Sequence, residues 1–253
     1  MKLAEVSWVE AQKILKKEDT VLMPVGSTEQ HGPHCPLGTD HITADAVANM
    51  VGDRVNLPVL PVVPVGISSH HRQFPGTLWA PPAVFRDYIK AIILSASSHG
   101  PRKFLIVNGH GGNTPSLKEV SEDLRSDDEI FVAIATAYPA KLDGHAGEDE
   151  TSLMLYLRQE LVDMKKAVDT KQNEALAGIG MKTQKVGPAE FGWDTIDLSP
   201  TGVFGAAGKT IKATKATPEH GKEMLGAHVD EICVFAQELK KAKLEELLPK
   251  PHK

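Results

Sequence analysis

Three short runs, TVLMPVG (20–26), KFLIVNG (103–109) and EIFVAIATAY (129–138), are apolar almost from end to end. Strands buried on both faces read this way, whereas a half-exposed strand would alternate apolar and polar residues. Helical spacing fills the gaps between them. Ile42 to Val51 carries Ala44, Val47, Ala48 and Val51, and Pro82 to Ser98 carries Val84, Phe85, Tyr88, Ile89, Ile92 and Ile93. A further helix is expected from Pro115 to Leu124 and another from Asp149 to Arg158. LPVLPVVPVG (57–66) reads as a strand that Pro58, Pro61 and Pro64 demote to an edge or irregular position. Ser7 followed by Glu10 predicts a first helix from Trp8 to Lys17. Thr217 with Pro218 opens a final one reaching Leu247. Residues 169–210 lack periodicity and read as mostly irregular. Strand and helix alternating in this way predict an α/β fold, a mainly parallel central sheet with helices on both faces. No repeat or linker divides the chain, so residues 1–253 read as a single domain.

The polar residues collect where such a fold binds ligands, beyond the carboxyl ends of the strands. Glu29, His31 and Asp40 follow the first run, His110 and Asn113 the second, and His145, Glu148 and Glu150 the third. Residues two apart in extended chain face the same side, so Glu29 and His31 can address one site, and Asp40 can swing back to it. A carboxylate has two oxygens and can bridge a pair of ions, as in co-catalytic hydrolase sites. Imidazole and carboxylate without thiolate suit Zn, Mn or Fe(II) in a working site rather than a structural zinc. Taken singly, Asp40 would be a helix cap and His110 a partner for a backbone carbonyl. Their joint placement is what favours metal.

Other function classes are disfavoured. A net charge of −5 offers no attraction to nucleic acid or an anionic membrane. No apolar run approaches the roughly 20 residues needed to span a bilayer. Charges through MKLAEVSWVEAQKILKKED argue against export, and Cys35 and Cys233 make no disulfide framework, so a cytoplasmic location is expected. No G-x-S-x-G elbow, P-loop or G-x-G-x-x-G is present.

GSTEQHGPHCPLGTD (26–40), HRQFPGT (71–77), VNGHGGN (107–113) and HAGEDETSLML (145–155), in that order, resemble the creatininase family (creatinine amidohydrolase and its relatives) across nearly the whole chain. The resemblance implies a three-layer α/β/α sandwich, two divalent metal ions, hydrolysis of a C–N bond in a small-molecule amide, and a homo-oligomer, hexamer or dimer. It implies that Glu29 and His31 each bind one metal, that Asp40 bridges them, that His110 completes the first site, and that His145 is catalytic. His34, His71, Asn113 and Glu150 would contact substrate or support the ligands. One departure is informative. Creatininase proper carries a glutamate ligand where this chain has Gly112, in His110-Gly111-Gly112-Asn113. Glu148 is the expected replacement, as a metal ligand or in proton transfer. The HGGN form resembles relatives acting on formamides, peptides or inosose-type substrates, and the tryptophans expected around a creatinine ring are not evident. The alternative reading is a non-catalytic metal-binding assembly protein.

Overall fold

The computed structural model describes residues 1–139, 141–182 and 184–249. Its elements run α1 (Trp8–Lys17), β1 (Thr20–Val25), α2 (Thr39–Val55), α3 (Pro82–Ser97), β2 (Lys103–Asn108), α4 (Thr114–Asp127), β3 (Phe131–Thr136) and α5 (Glu148–Arg158). Short strands β4 (Asp169–Lys171), β5 (Ala175–Leu176), β6 (Ile179–Lys182), β7 (Lys185–Val186) and β8 (Ala189–Glu190) follow. The chain then forms α6 (Thr195–Leu198), β9 (Thr210–Lys212), α7 (Pro218–Lys241) and α8 (Leu244–Leu247).

The three apolar runs lie side by side as a parallel sheet in the order β1-β2-β3. Residues 57–63 extend it beyond β1. Leu60 and Val63 donate to the carbonyls of Leu22 and Pro24, while Leu22 and Gly26 donate to Pro58 and Val63. Pro58 and Pro61 have no N–H to offer, so this edge stays a string of isolated bridges.

Side chains alternate across a strand, and here the alternation separates two cores. Leu22, Leu105 and Val107 pack with Val47, Val51, Leu225 and Val229, beneath α2, α5 and α7. Val21, Met23, Phe104 and Ile106 pack with Phe85, Ile89, Leu117 and Val120, beneath α3 and α4. Two helical layers thus sandwich the sheet, as the alternating pattern predicts.

Three expectations change. α2 begins at Thr39 rather than Ile42, which puts Asp40 in its first turn. The last long helix stops at Lys241 rather than Leu247, because buried Lys103 reaches its end. The Lys103 Nζ donates to the carbonyls of Leu239, Lys240 and Ala242 at 2.9, 3.2 and 2.7 Å. Residues 169–210 hold more pairing than an irregular stretch: β4 pairs with β9, and β5 to β8 form a four-stranded antiparallel meander, with turns and loops between them. Strands of two to four residues with exposed faces leave no periodicity to read.

Candidate metal centre

In register, Val25 of β1 lies opposite Asn108 of β2, and Asn108 opposite Thr136 of β3. All three strands therefore release their following loops at one level. Glycine lets those loops close together. A Cβ on Gly109 would strike the Asp40 carbonyl, and one on Gly26 would strike the His41 backbone. Asn113, fully buried, ties the loops from behind: its Nδ2 donates to Gly26 O (3.0 Å) and its Oδ1 accepts from Ile67 N (2.8 Å).

What these loops deliver is a cluster of buried imidazoles and carboxylates. His110 Nδ1 lies 3.2 Å from Glu29 Oε2 and 3.1 Å from Asp40 Oδ2. His31 Nε2 lies 3.2 Å from the other Asp40 oxygen, Oδ1, and 3.7 Å from Glu150 Oε2. Asp40 thus faces two imidazoles with its two oxygens, and Tyr138 Oη donates to Oδ1 at 3.0 Å. Glu29, Asp40 and His110 form one group able to grip a cation, and Glu29, His31 and His145 a second, with ligand atoms within 4.8 Å of one another.

The far side of each ring fixes which nitrogen faces inward. His110 Nε2 donates to Ile67 O (2.9 Å), and His31 Nδ1 donates to the Glu29 carbonyl (3.2 Å). Each inward nitrogen is thereby left as the one that can bind a cation, the usual arrangement behind a metal-binding histidine. His71 plays a related part for Glu29. Its Nδ1 accepts from Thr195 Oγ1 (2.7 Å) and Gln30 Nε2 (2.9 Å), so Nε2 carries the proton toward Glu29 Oε1, 3.2 Å away. Glu29 Oε2 remains free for the cluster.

Electrostatics follow from this crowding. Burial alone would depress His31, but Asp40, then Glu150 and Glu29, outweigh it and raise its pKa to about 9. The same contest holds His110 well above its ordinary value, with Glu29 the leading carboxylate. Burial would raise Asp40, yet His31 and His110 hold it well below the carboxylate range. Burial raises Glu29 despite His110, and raises Glu150 to about 7 despite His31. Burial and the charge on His31 hold His145 well below its ordinary value.

The candidates from sequence divide cleanly. Glu29, Asp40, His71, His110, His145 and Glu150 line one cavity of about 790 Å³, and His31 sits beneath it. Glu148 does not join them, so the expectation that it replaces the carboxylate missing at Gly112 is not met. It opens α5, where its N–H donates to Asp143 Oδ2 (3.0 Å). Residues two apart on a helix point roughly 200° away from each other, so with Glu150 facing the cluster Glu148 faces away. Glu150 Oε2 also accepts from Ala146 N at 2.6 Å, which Ala146 makes possible by adopting φ +52°. His34 stands behind the cavity, Nε2 against Thr151 Oγ1 at 2.8 Å, steadying the turn that carries Glu150. Sequence reasoning passed over Tyr138, Phe191 and Trp193, all on the cavity wall. Trp193 in particular was not evident as a residue of the site; it comes from the stretch that lacked periodicity.

Three buried atoms of the cluster, Glu29 Oε2, Asp40 Oδ2 and His31 Nε2, have no aligned hydrogen-bond partner. Buried polar atoms are rarely left so, and a pair of divalent cations would satisfy all three. The donor set therefore fits metal.

Comparison with known proteins agrees. The family described as "Creatininase: Creatinine amidohydrolase" matches residues 4–236. A mycofactocin precursor peptide peptidase of Mycobacterium ulcerans is 31% identical over 226 residues, 85% of this chain and 83% of that one. A 3-dehydro-scyllo-inosose hydrolase of Thermotoga maritima is 30% identical over 242 residues, 85% and 76% of the two chains. A crystal structure of creatinine amidohydrolase superposes with a TM-score of 0.77 at 25% identity, covering 96% of this chain and 98% of that one. The chain belongs to the creatininase (creatinine amidohydrolase) family.

Proposed function

We propose that this protein is a metal-dependent amidohydrolase that cleaves a C–N bond of a small, uncharged amide. The observation that carries the proposal is the convergence of three unsatisfied buried ligand atoms, Glu29 Oε2, Asp40 Oδ2 and His31 Nε2, around one cavity. Glu29, Asp40 and His110 would hold one divalent ion, and His31, Asp40 and Glu150 the other, with Asp40 shared. Zn, Mn and Fe(II) all suit such oxygen and nitrogen donors. When bound, such ions polarise a carbonyl and bring water toward ionisation near neutral pH.

The chain's own groups move the protons. His145 Nε2 lies 2.8 Å from the Gln30 carbonyl and 2.9 Å from Gln30 Nε2; with its proton on Nε2, toward the carbonyl, Nδ1 keeps the lone pair, 4.0 Å from Glu150 Oε2. A neutral imidazole in that tautomer accepts the proton of the attacking water and returns it to the leaving nitrogen. No lysine or arginine lines the cavity among the described residues, which supports an uncharged rather than a phosphorylated substrate.

Cytoplasmic location and homo-oligomeric assembly belong to the same proposal. No helix among the described residues is long and apolar enough to cross a membrane. Exposed Val84 and Tyr88, with Val65 and Ala80, line an apolar surface hollow that self-association would cover.

A hydrolysis screen over creatinine, formamides, short peptides and lactams, with and without chelator, tests the function. Activity is expected on one class, abolished by chelation and restored by metal. His145→Ala should lower turnover by roughly a hundredfold with metal retained. Hydrolysis that survives metal removal overturns the proposal.

A further inference from the structure

His70 stands on the cavity wall, yet no step above uses it. Its ring stacks on His110 (centroids 5.6 Å apart, planes at 12°) and meets Trp193 edge-on (5.0 Å, 74°). The other histidines of the cavity are committed: His71 to Gln30, Thr195 and Glu29, His110 to Ile67 and the carboxylates, and His145 to Gln30. Among the described residues His70 has no hydrogen-bond or ion-pair partner, and its nitrogens are not among the sealed, unpartnered atoms of the interior. They are therefore within reach of solvent, on a residue that lines the cavity. An imidazole held by two ring contacts, with both nitrogens unspent, is preorganised for something that binds.

Trp193 supplies the neighbouring surface. It is half-buried, reaches the cavity from the segment between β8 and α6, and packs edge-on against Phe204 at 5.8 Å. Phe191 joins it on the wall. An indole braced in this way offers a flat apolar face with little entropy left to lose. The cavity, at about 790 Å³, has room for a ring next to the reacting amide.

We propose that His70 and Trp193 form a substrate-recognition subsite: His70 hydrogen-bonds the amide group presented to the metal centre, and Trp193 covers a flat, uncharged ring attached to that amide. The proposal rests on the amidohydrolase reading of the same cavity and names the substrate class it selects, aromatic or heteroaromatic amides over short alkyl ones.

Hydroxamates mimic an amide and chelate divalent metal, so two of them separate the contributions. Acetohydroxamate and benzohydroxamate are titrated calorimetrically into the full-length, Mn-loaded protein. Benzohydroxamate should bind about tenfold more tightly. Trp193→Ala should bring the two within about twofold by weakening benzohydroxamate alone, and Trp193→Phe should restore most of the preference. His70→Phe keeps the ring contacts but loses the hydrogen bond, so both probes should weaken by about threefold to tenfold with their ratio preserved. Manganese content is measured on every variant and should not change. A preference that survives Trp193→Ala, or affinities untouched by His70→Phe, overturns the subsite. A wild-type protein that binds both probes equally also overturns it, yet leaves the metal centre standing, because acetohydroxamate reports that centre by itself.

Discussion

At the residue scale, the sharpest question lies between two glutamates two positions apart. Glu148 was the natural choice from sequence, because it follows the HAG motif at once and nothing in the letters says where the helix turns. The structure turns α5 so that Glu150 faces His31 at 3.7 Å, while Glu148 spends its backbone N–H on Asp143. Replacing Glu150 by Gln should therefore lower metal affinity at the His31 side and cut hydrolysis by roughly a hundredfold. Glu148→Gln should leave both within about twofold. Metal analysis after dialysis and a turnover assay on the pair of variants decide it, and the reverse order would restore the original reading. His31, Asp40 and Glu29 were legible because their spacing in an extended loop is itself geometric information. His70 and Trp193 were not, because their roles depend on two loops more than a hundred residues apart meeting at the cavity.

At the element scale, the runs that form the sheet could be read almost to the residue, since burial on both faces leaves an uninterrupted apolar string. Helix starts were harder. α2 begins three residues early because Gly26 and Gly109 allow the chain to close over its first turn, a tertiary contact that no local propensity records. The stretch from 169 to 210 carries too few residues per strand for a period to emerge, and it hid the aromatic wall of the cavity. The turn before α5 has its own device. Asp143 accepts from the backbone of Glu148 (3.0 Å) and Asp149 (3.2 Å), capping the helix whose first turn presents Glu150. Asp143→Ala should destabilise the protein by about 1 kcal/mol and lower Tm by roughly 2–4 °C. A thermal melt of the metal-free protein reads this directly; an unchanged midpoint would mean that the turn is held by packing alone.

At the scale of the whole molecule, folding creates a cluster that conflicts with itself until cations arrive. Without metal, His31 with its pKa near 9 and His110, held well above its ordinary value, both carry protons at neutral pH. A cation must displace them. Metal loading at pH 7 should release at least about one proton per chain, seen as a binding enthalpy that changes with the ionisation enthalpy of the buffer. The sign is fixed by the raised pKa: affinity should climb as pH rises from 7 toward about 9, where His31 gives up its proton, whereas ligands already deprotonated would give no slope at pH 7. The most direct test of the account concerns the carboxylate that faces both imidazoles. Metal per chain, measured by elemental analysis on wild type and Asp40→Asn, should fall from about two divalent ions to fewer than one, with hydrolysis lost in parallel. An Asp40→Asn protein that keeps its full metal complement, or a wild type that hydrolyses its substrate with none, would contradict it.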